Sequence, residues 1–303
     1  MLTPQIVDDV VSRALAEDAP WGDITSELLI PAEAQVEATL DAREPGVFSG
    51  TAVLLATMRL VDPAIRTTMH VADGESFAAG AVLATVSGPA RSVLRAERVA
   101  LNLLQRMSGI ATLTARYVAL VAHTDARIVD TRKTTPGLRA LERQAVRDGG
   151  GHNHRFSLSD AVMAKDNHLA VLAAQHDGDV TAALKAVRAQ LSHTTHLEVE
   201  VDRLDQIEAV LAGGVDTIML DNFSLDDLRT GVAQVAGRAL VEASGGVNLD
   251  TVRAIAETGV DVISVGALTH SVRALDLGLD VAFAAASGSP ATAGVASAPA
   301  ATP

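Results

Sequence analysis

Cysteine is absent from this 303-residue chain. That excludes disulfides, thiolate catalysis and cysteine-ligated metals, and it is compatible with a reducing compartment such as the cytoplasm. Aromatic residues supply only 2% of the chain, so alanine and the aliphatic side chains must fill its core. No apolar run approaches the roughly eighteen residues of a membrane span. The first residues, MLTPQIVDDVVSRALAED, read as an acidic amphipathic helix rather than a basic, apolar secretory leader. Basic residues are the minority: 24 Lys and Arg against 37 Asp and Glu give a formal net charge of −13. A general nucleic-acid-binding surface is therefore not expected. Neither a GxxxxGK phosphate loop nor a GxGxxG turn after a strand is present, which removes support for P-loop and dinucleotide-binding readings.

What is present has the balance of a globular enzyme, with 48% hydrophobic and 20% charged residues. The pattern divides near residue 120. Residues 36–88 alternate short extended pieces with the turn signals DG, AG and SGP. Helical stretches are expected at 3–16 and 51–61, followed by one long helix from about Arg91 to Val121. Leu94, Leu101, Leu104 and Val118 form its apolar stripe, and Arg91, Arg95, Arg98 and Gln105 its polar one. The first part reads as a small α/β sandwich capped by that helix.

Beyond residue 125, six apolar runs alternate with amphipathic helices: ARIVDTRKT, DAVMAKDNH, THLEVEVD, DTIMLDNF, ALVEASGG and DVISVGAL. This predicts a parallel sheet covered by helices, and the repeat suggests an α/β barrel perhaps one strand short of eight. A doubly wound open sheet is the competing architecture. Residues 287–303 contain only Ser, Gly, Pro, Ala, Thr and one Val, and they are expected to be a disordered tail.

In a parallel barrel every strand end points to one face, where chemistry sits. Arg132, Lys133 and Lys165 end strands, and His154 and Arg155 follow the glycines of GGGHNHR. So dense a cationic cluster in an acidic chain suits a small polyanion held in a cleft. Arg139, Arg143 and Arg147 fall at helical spacing near Glu142 and are as consistent with surface ion pairs as with function. Glu198 and Glu200 share a strand face; Glu200, nearer the strand end, is the better candidate, with Asp221, to hold ribose hydroxyls or Mg²⁺. The small residues of ASGGV (243–247) and SVGAL (264–268) offer backbone N–H groups to a phosphate. His152, His154 and His168 lack the spacing of a zinc site.

Together EDAPWGDIT, ERVALNLLQRMSGIAT, DTRKTTPGLR, GGGHNHR, KDNH, EVEVD, LDNF and EASGGV, in that order from about residue 4 to 284, resemble the quinolinate phosphoribosyltransferase family. The resemblance implies a type II phosphoribosyltransferase fold: an N-terminal sandwich (1–120), an incomplete, roughly seven-stranded α/β barrel (121–270), and a segment returning to the sandwich (271–286). It also implies transfer of phosphoribosyl from 5-phosphoribosyl-1-pyrophosphate to quinolinate with decarboxylation. By resemblance, Arg132, His154, Arg155 and Lys165 would hold quinolinate, with Arg98 supplied by a second subunit. Lys133, Glu200 and Asp221 would serve catalysis, the last two with Mg²⁺. Ser244, Gly245, Gly246, Val265, Gly266 and Ala267 would take the 5′-phosphate. Asp148 and Ser157 depart from the family's usual Cys and Gly. A Schiff-base aldolase using Lys165, a relative outside NAD synthesis and a non-catalytic anion-binding protein are the alternatives.

Overall fold

Helix α1, Pro4–Asp18, starts where its pattern predicts: Thr3 accepts the Ile6 N–H at 3.3 Å, and Pro4 occupies the first turn, where its missing N–H costs nothing. The computed structural model describes residues 2–283, so the expected tail at 287–303 lies outside the described residues. Helix α2, Ile24–Leu29, is capped by Asp23; six residues are too few for a helical period to register in the sequence. Strands β1 (Gln35–Ala42) and β2 (Gly46–Val47) precede α3 (Thr51–Val61), then β3 (Arg66–Met69), β4 (Ser76–Phe77) and β5 (Val82–Pro89). Strand β1 pairs antiparallel with β5, which in turn pairs with the edge strand β3. Its alternate residues Val36, Ala38, Leu40 and Ala42 are buried, as a half-buried strand requires.

Helix α4, Ala90–Val121, runs 32 residues, about 48 Å at 1.5 Å per residue. Its first half, through Val93, Ala96, Ala100 and Leu104, packs into the sandwich core. Its second half, through Met107, Ile110, Tyr117 and Val121, packs into the core of the parallel sheet. One helix therefore belongs to both cores. Its expected polar stripe is mostly tied down: Arg91 donates to Ile30 O and Glu27 O, Arg95 to Val61 O, and Gln105 to Leu277 O. Arg98 remains exposed, with Glu97 Oε1 3.9 Å away.

The parallel part comprises β6 (Arg127–Val129), α5 (Arg139–Asp148), β7 (Val162–Ala164), α6 (Asp166–Ala174), α7 (Val180–Arg188), β8 (Leu197–Val201), α8 (Ile207–Ala212), β9 (Thr217–Asp221), α9 (Leu225–Val235), β10 (Leu240–Ser244), α10 (Val252–Ala256), β11 (Val262–Ser264) and α11 (Ala267–His270). Strand order is β6-β11-β10-β9-β8-β7. The strands step around in one direction without the reversal of a doubly wound sheet, which decides for the barrel. Six strands form the sheet among the described residues, one fewer than the expected count of about seven, and a one-residue bridge joins His152 to Val129 beside β6. Val199, Ile218, Leu220, Val241 and Ile263 bury the helix-facing side. Polar residues, Glu198, Glu242 and Ser264 among them, are buried on the strands as well. Finally β12, Leu277–Phe283, returns to pair antiparallel with β1.

Asp148 closes α5 against the sandwich. Its carboxylate accepts from Ser49 Oγ at 2.6 Å and Gln144 Nε2 at 2.8 Å, and burial pushes its pKa up despite those bonds. A carboxyl whose folded pKa is raised stabilises the fold most when protonated, and that contribution is lost as pH rises through the folded value. Asn fits the same partners without charge, because the Ser49 hydroxyl can turn to accept. Asp148→Asn is expected to raise the thermal midpoint at pH 7 by about 1–3 °C, with the gain vanishing near pH 4, the unperturbed range of Asp. Thermal unfolding at the two pH values checks this.

Candidate active site

The C-terminal ends of the barrel strands surround a cavity of about 600 Å³. Arg132, Lys133, His154, Arg155 and Lys165 lie on its wall with Glu200, Asp221, Ser244, Gly245 and Gly246. Ten of the residues singled out in the sequence thus meet at one mouth. A larger cavity, about 730 Å³, opens among the strand beginnings around Arg127, His196, Thr217 and Val262; barrel chemistry belongs to the opposite face.

The cationic wall is built by the turn after β6 and by GGGHNHR. Gly149 ends α5 so close to α4 that a Cβ would stand 2.4 Å from Ala111 O, and Gly150 has φ +84°. Neither position admits a side chain without strain. The segment then returns beside β6 and is held from below by Asp130, which is fully buried. Asp130 accepts from Asn153 Nδ2 at 2.6 Å, the His154 N–H at 2.8 Å and Arg143 Nη1 at 3.2 Å. Arg143 also donates to Arg155 O at 3.2 Å and His154 O at 2.5 Å. Burial pushes the Asp130 pKa up, with Arg143 and the other donors opposing.

The surface pairing considered for α5 is thereby corrected. Arg143 is buried against Asp130, and Glu142 is buried against Arg106 of α4, at 2.8 Å. Arg139 donates to Thr134 Oγ1 and Phe156 O. The sequence showed the helical spacing of these arginines, whereas their partners come from β6, α4 and a loop. No local pattern carries that information.

Arg132 Nε is buried without a hydrogen-bond partner among the described residues. Arg155 spends one nitrogen on Ala161 O at 2.9 Å. Its pKa is lowered first by burial and then by the neighbouring charge of Arg132. Two guanidiniums repelling each other beside an unsatisfied donor make a site that an anion relieves.

His154 stands deeper. Its Nε2 lies 3.2 Å from Glu198 and 3.4 Å from Glu242. Burial acts to lower its pKa, but hydrogen bonds to both carboxylates and their charges push it up to about 10. Glu198 in turn is pushed up by burial and by Glu242. Nδ1 accepts the Arg155 N–H at 2.7 Å, so a second proton there comes at the expense of that backbone contact. These three residues place ligand atoms within 4.8 Å of one another. With its proton on Nε2, His154 donates to the two carboxylates and the trio forms a hydrogen-bonded cluster. Glu242 was not anticipated. It stands two residues before Ser244, the spacing that links Glu198 to Glu200, so strand alternation was the available signal.

Lys165 is ion-paired with Glu200. A paired ammonium suits an anion-holding role, not the desolvated neutral amine that Schiff-base chemistry needs. Across the mouth, Asp221 Oδ2 accepts Asn222 Nδ2 at 2.7 Å. Asn222 packs on Gly245 so tightly that a Cβ there would lie 2.1 Å from Asn222 Oδ1, and Gly245 has φ +91°. That turn requires glycine. The second turn is partly corrected: Val265 gives its N–H to Val129 O at 3.0 Å and its side chain is buried, so it has no donor left for a phosphate. Gly266 and Ala267 do not line the mouth cavity themselves; Lys133 lies across Gly266, where a Cβ would meet Lys133 Cδ at 3.2 Å. Arg98 is not part of the mouth within one chain.

Models of the N-terminal and C-terminal domains of quinolinate phosphoribosyl transferase match residues 23–108 and 110–280. The chain is 46% identical over 279 residues to nicotinate-nucleotide pyrophosphorylase (carboxylating) of Mycobacterium leprae, covering 90% of this chain and 96% of that one. It is 42% identical over 272 residues to the probable enzyme of the same name from Bacillus subtilis, at 90% and 92% coverage. Among solved structures, NadC from Streptococcus pyogenes superposes with a TM-score of 0.89 at 38% identity, covering 94% of this chain and 99% of that one.

Proposed function

The chain belongs to the quinolinate phosphoribosyltransferase family, and from that premise we infer that the barrel mouth is its active centre. The enzyme transfers phosphoribosyl from 5-phosphoribosyl-1-pyrophosphate to quinolinate, releasing pyrophosphate and CO₂ and forming nicotinate mononucleotide for NAD synthesis. The observation that carries the site is the unsatisfied, mutually repelling pair Arg132 and Arg155 beside Lys133 and Lys165. Quinolinate brings two carboxylates and its partner a phosphate and a pyrophosphate, all of which such a wall attracts.

In this reading Arg132, Arg155 and Lys165 hold the dicarboxylate, with His154 beside them, itself held by Glu198 and Glu242. Lys133 faces the pyrophosphate. The turns Ser244–Gly246 and Gly266–Ala267 receive the 5′-phosphate through backbone N–H groups. Quinolinate nitrogen attacks the anomeric carbon as pyrophosphate departs, and Glu200 and Asp221 face the positive charge that develops on the ribose. Ribosylation makes the ring nitrogen cationic, so the adjacent ring carbon can hold the electron pair of the broken C–C bond as CO₂ departs, and a proton from solvent then takes that pair to give nicotinate mononucleotide.

Glu200 and Asp221 end neighbouring strands and supply only hard carboxylate oxygens, a donor set that fits Mg²⁺ completed by water and phosphate. When bound, Mg²⁺ would neutralise charge on the departing pyrophosphate. EDTA is expected to abolish turnover and Mg²⁺ to restore it. In an assay with both substrates and Mg²⁺, CO₂ and pyrophosphate should appear in equal amounts. A protein that binds quinolinate yet releases neither would overturn the catalytic reading.

A homodimer with shared sites is part of the same reading. Trp21, Ile24, Leu28 and Leu29 are 94%, 72%, 78% and 73% exposed along one short segment, and Leu158 and Val171 are 72% and 66% exposed. Apolar surface of that kind favours covering by a second copy. No helix among the described residues is long and apolar enough to cross a membrane, and the cysteine-free composition suits a cytoplasmic enzyme.

A further inference from the structure

A second set of buried polar contacts sits behind the phosphoribosyl side of the mouth, separate from the Asp130–Arg143 set behind the quinolinate side. Its centre is Arg106 on α4. Arg106 donates twice to Glu142 Oε1, at 2.8 and 3.0 Å, once to Thr135 Oγ1 at 3.1 Å, and once to the backbone oxygen of Thr269. Glu142 is fully buried, and its other oxygen accepts the Thr135 N–H at 3.1 Å. Thr269, also fully buried, donates its hydroxyl to the Lys133 backbone oxygen at 2.8 Å. The guanidinium therefore links α4 to α5, to the turn carrying Arg132 and Lys133, and to α11, which follows Gly266.

We infer that Arg106, Glu142 and Thr269 are positioning residues that set the distance between Lys133 and the Gly266–Ala267 turn, and so the grip on the pyrophosphate and 5′-phosphate ends of the phosphoribosyl donor. This rests on the reading of the mouth given above. Two features argue against a merely structural brace. Its hydrogen bonds fall on the backbone or loop atoms of two segments assigned to the same substrate. The quinolinate-side segment, Asn153–Arg155, is instead held by Asp130 and Arg143, which share no hydrogen bond with Arg106. The two sets share helix α5 but no hydrogen bond, and the Thr269 contact falls on Lys133 rather than on Arg132. Displacing a binding group by about 1 Å is enough to cost an order of magnitude or more in rate, so loosening one brace should be read by one substrate.

Thr269→Val removes the hydroxyl while keeping the volume, and Thr269→Ser restores it. Thr135→Val, at a half-buried position, removes one Arg106 acceptor and leaves the Glu142 charge paired, so it serves if Thr269→Val does not fold. Steady-state kinetics should show the KM for phosphoribosyl pyrophosphate rising on the order of ten-fold in Thr269→Val. The KM for quinolinate should stay within about two-fold, and Thr269→Ser should return to near wild-type values. Calorimetric titration with pyrophosphate and with quinolinate separates failure of this inference from failure of the assigned reaction. A wild type that turns nothing over sinks the assignment. Folded Thr269→Val or Thr135→Val that loses affinity for both ligands alike, or for neither, overturns this positioning role.

Discussion

Mixed under conditions that allow subunits to exchange, Arg98→Ala and Lys165→Ala proteins are expected to recover about a quarter of wild-type activity, although each alone should be nearly inactive. Losing one charge-assisted anchor is expected to cost roughly 10²–10³ in kcat/KM. The quarter follows from symmetry: random pairing makes half the dimers mixed, and each mixed dimer holds one site with both residues intact. The expectation rests on Arg98, the member of its polar stripe left exposed while Arg91, Arg95 and Gln105 are committed to backbone oxygens of their own chain. Activity of the mixture, measured beside a demonstration of exchange, is the check. No recovery from folded, exchanging subunits would remove Arg98 from the site.

The second large effect is on stability. Asp130→Ala is expected to destabilise the protein by about 3–5 kcal/mol, because it leaves Arg143 a buried cation without its partner. The same change orphans the His154 N–H and one proton of the Asn153 amide. Arg143 has only 11% of its side chain exposed, so water cannot substitute. Asp130→Asn should fall between, since its oxygen still accepts the His154 N–H. Denaturant midpoints of the three proteins test the ranking, and an Asp130→Ala protein as stable as wild type would show that the pair is dispensable. Activity in Asp130→Asn should drop through the quinolinate KM, because the segment that moves carries Arg155.

Much of the architecture was legible in the chain because it follows from local repetition. Apolar runs of strand length separated by amphipathic helices announced a parallel sheet, and the residues after each run announced its working face. The three glycines before His152 announced a backbone that must turn tightly and approach a neighbour. Helix α2 escaped, being shorter than two helical turns, and its apolar residues face outward. In the site, charges at strand ends were found since strand direction alone brings them together. Glu242 could have been found by the same alternation that singled out Glu200. Asp130, Arg143, Arg106 and Thr269 could not: each is defined by a partner 13 to 163 positions away.

By itself the sequence determined the barrel-like repeat, the cationic character of its mouth and, through its ordered motifs, the family. Those properties depend on residue type and strand polarity, which are local. Only the tertiary structure decided that the strand order runs in one direction rather than reversing. It also decided that Val265 spends its N–H within the barrel, and that two buried ion pairs stand behind the two halves of the mouth. Hydrogen-bond saturation and charge pairing depend on which distant segments meet, and packing settles that.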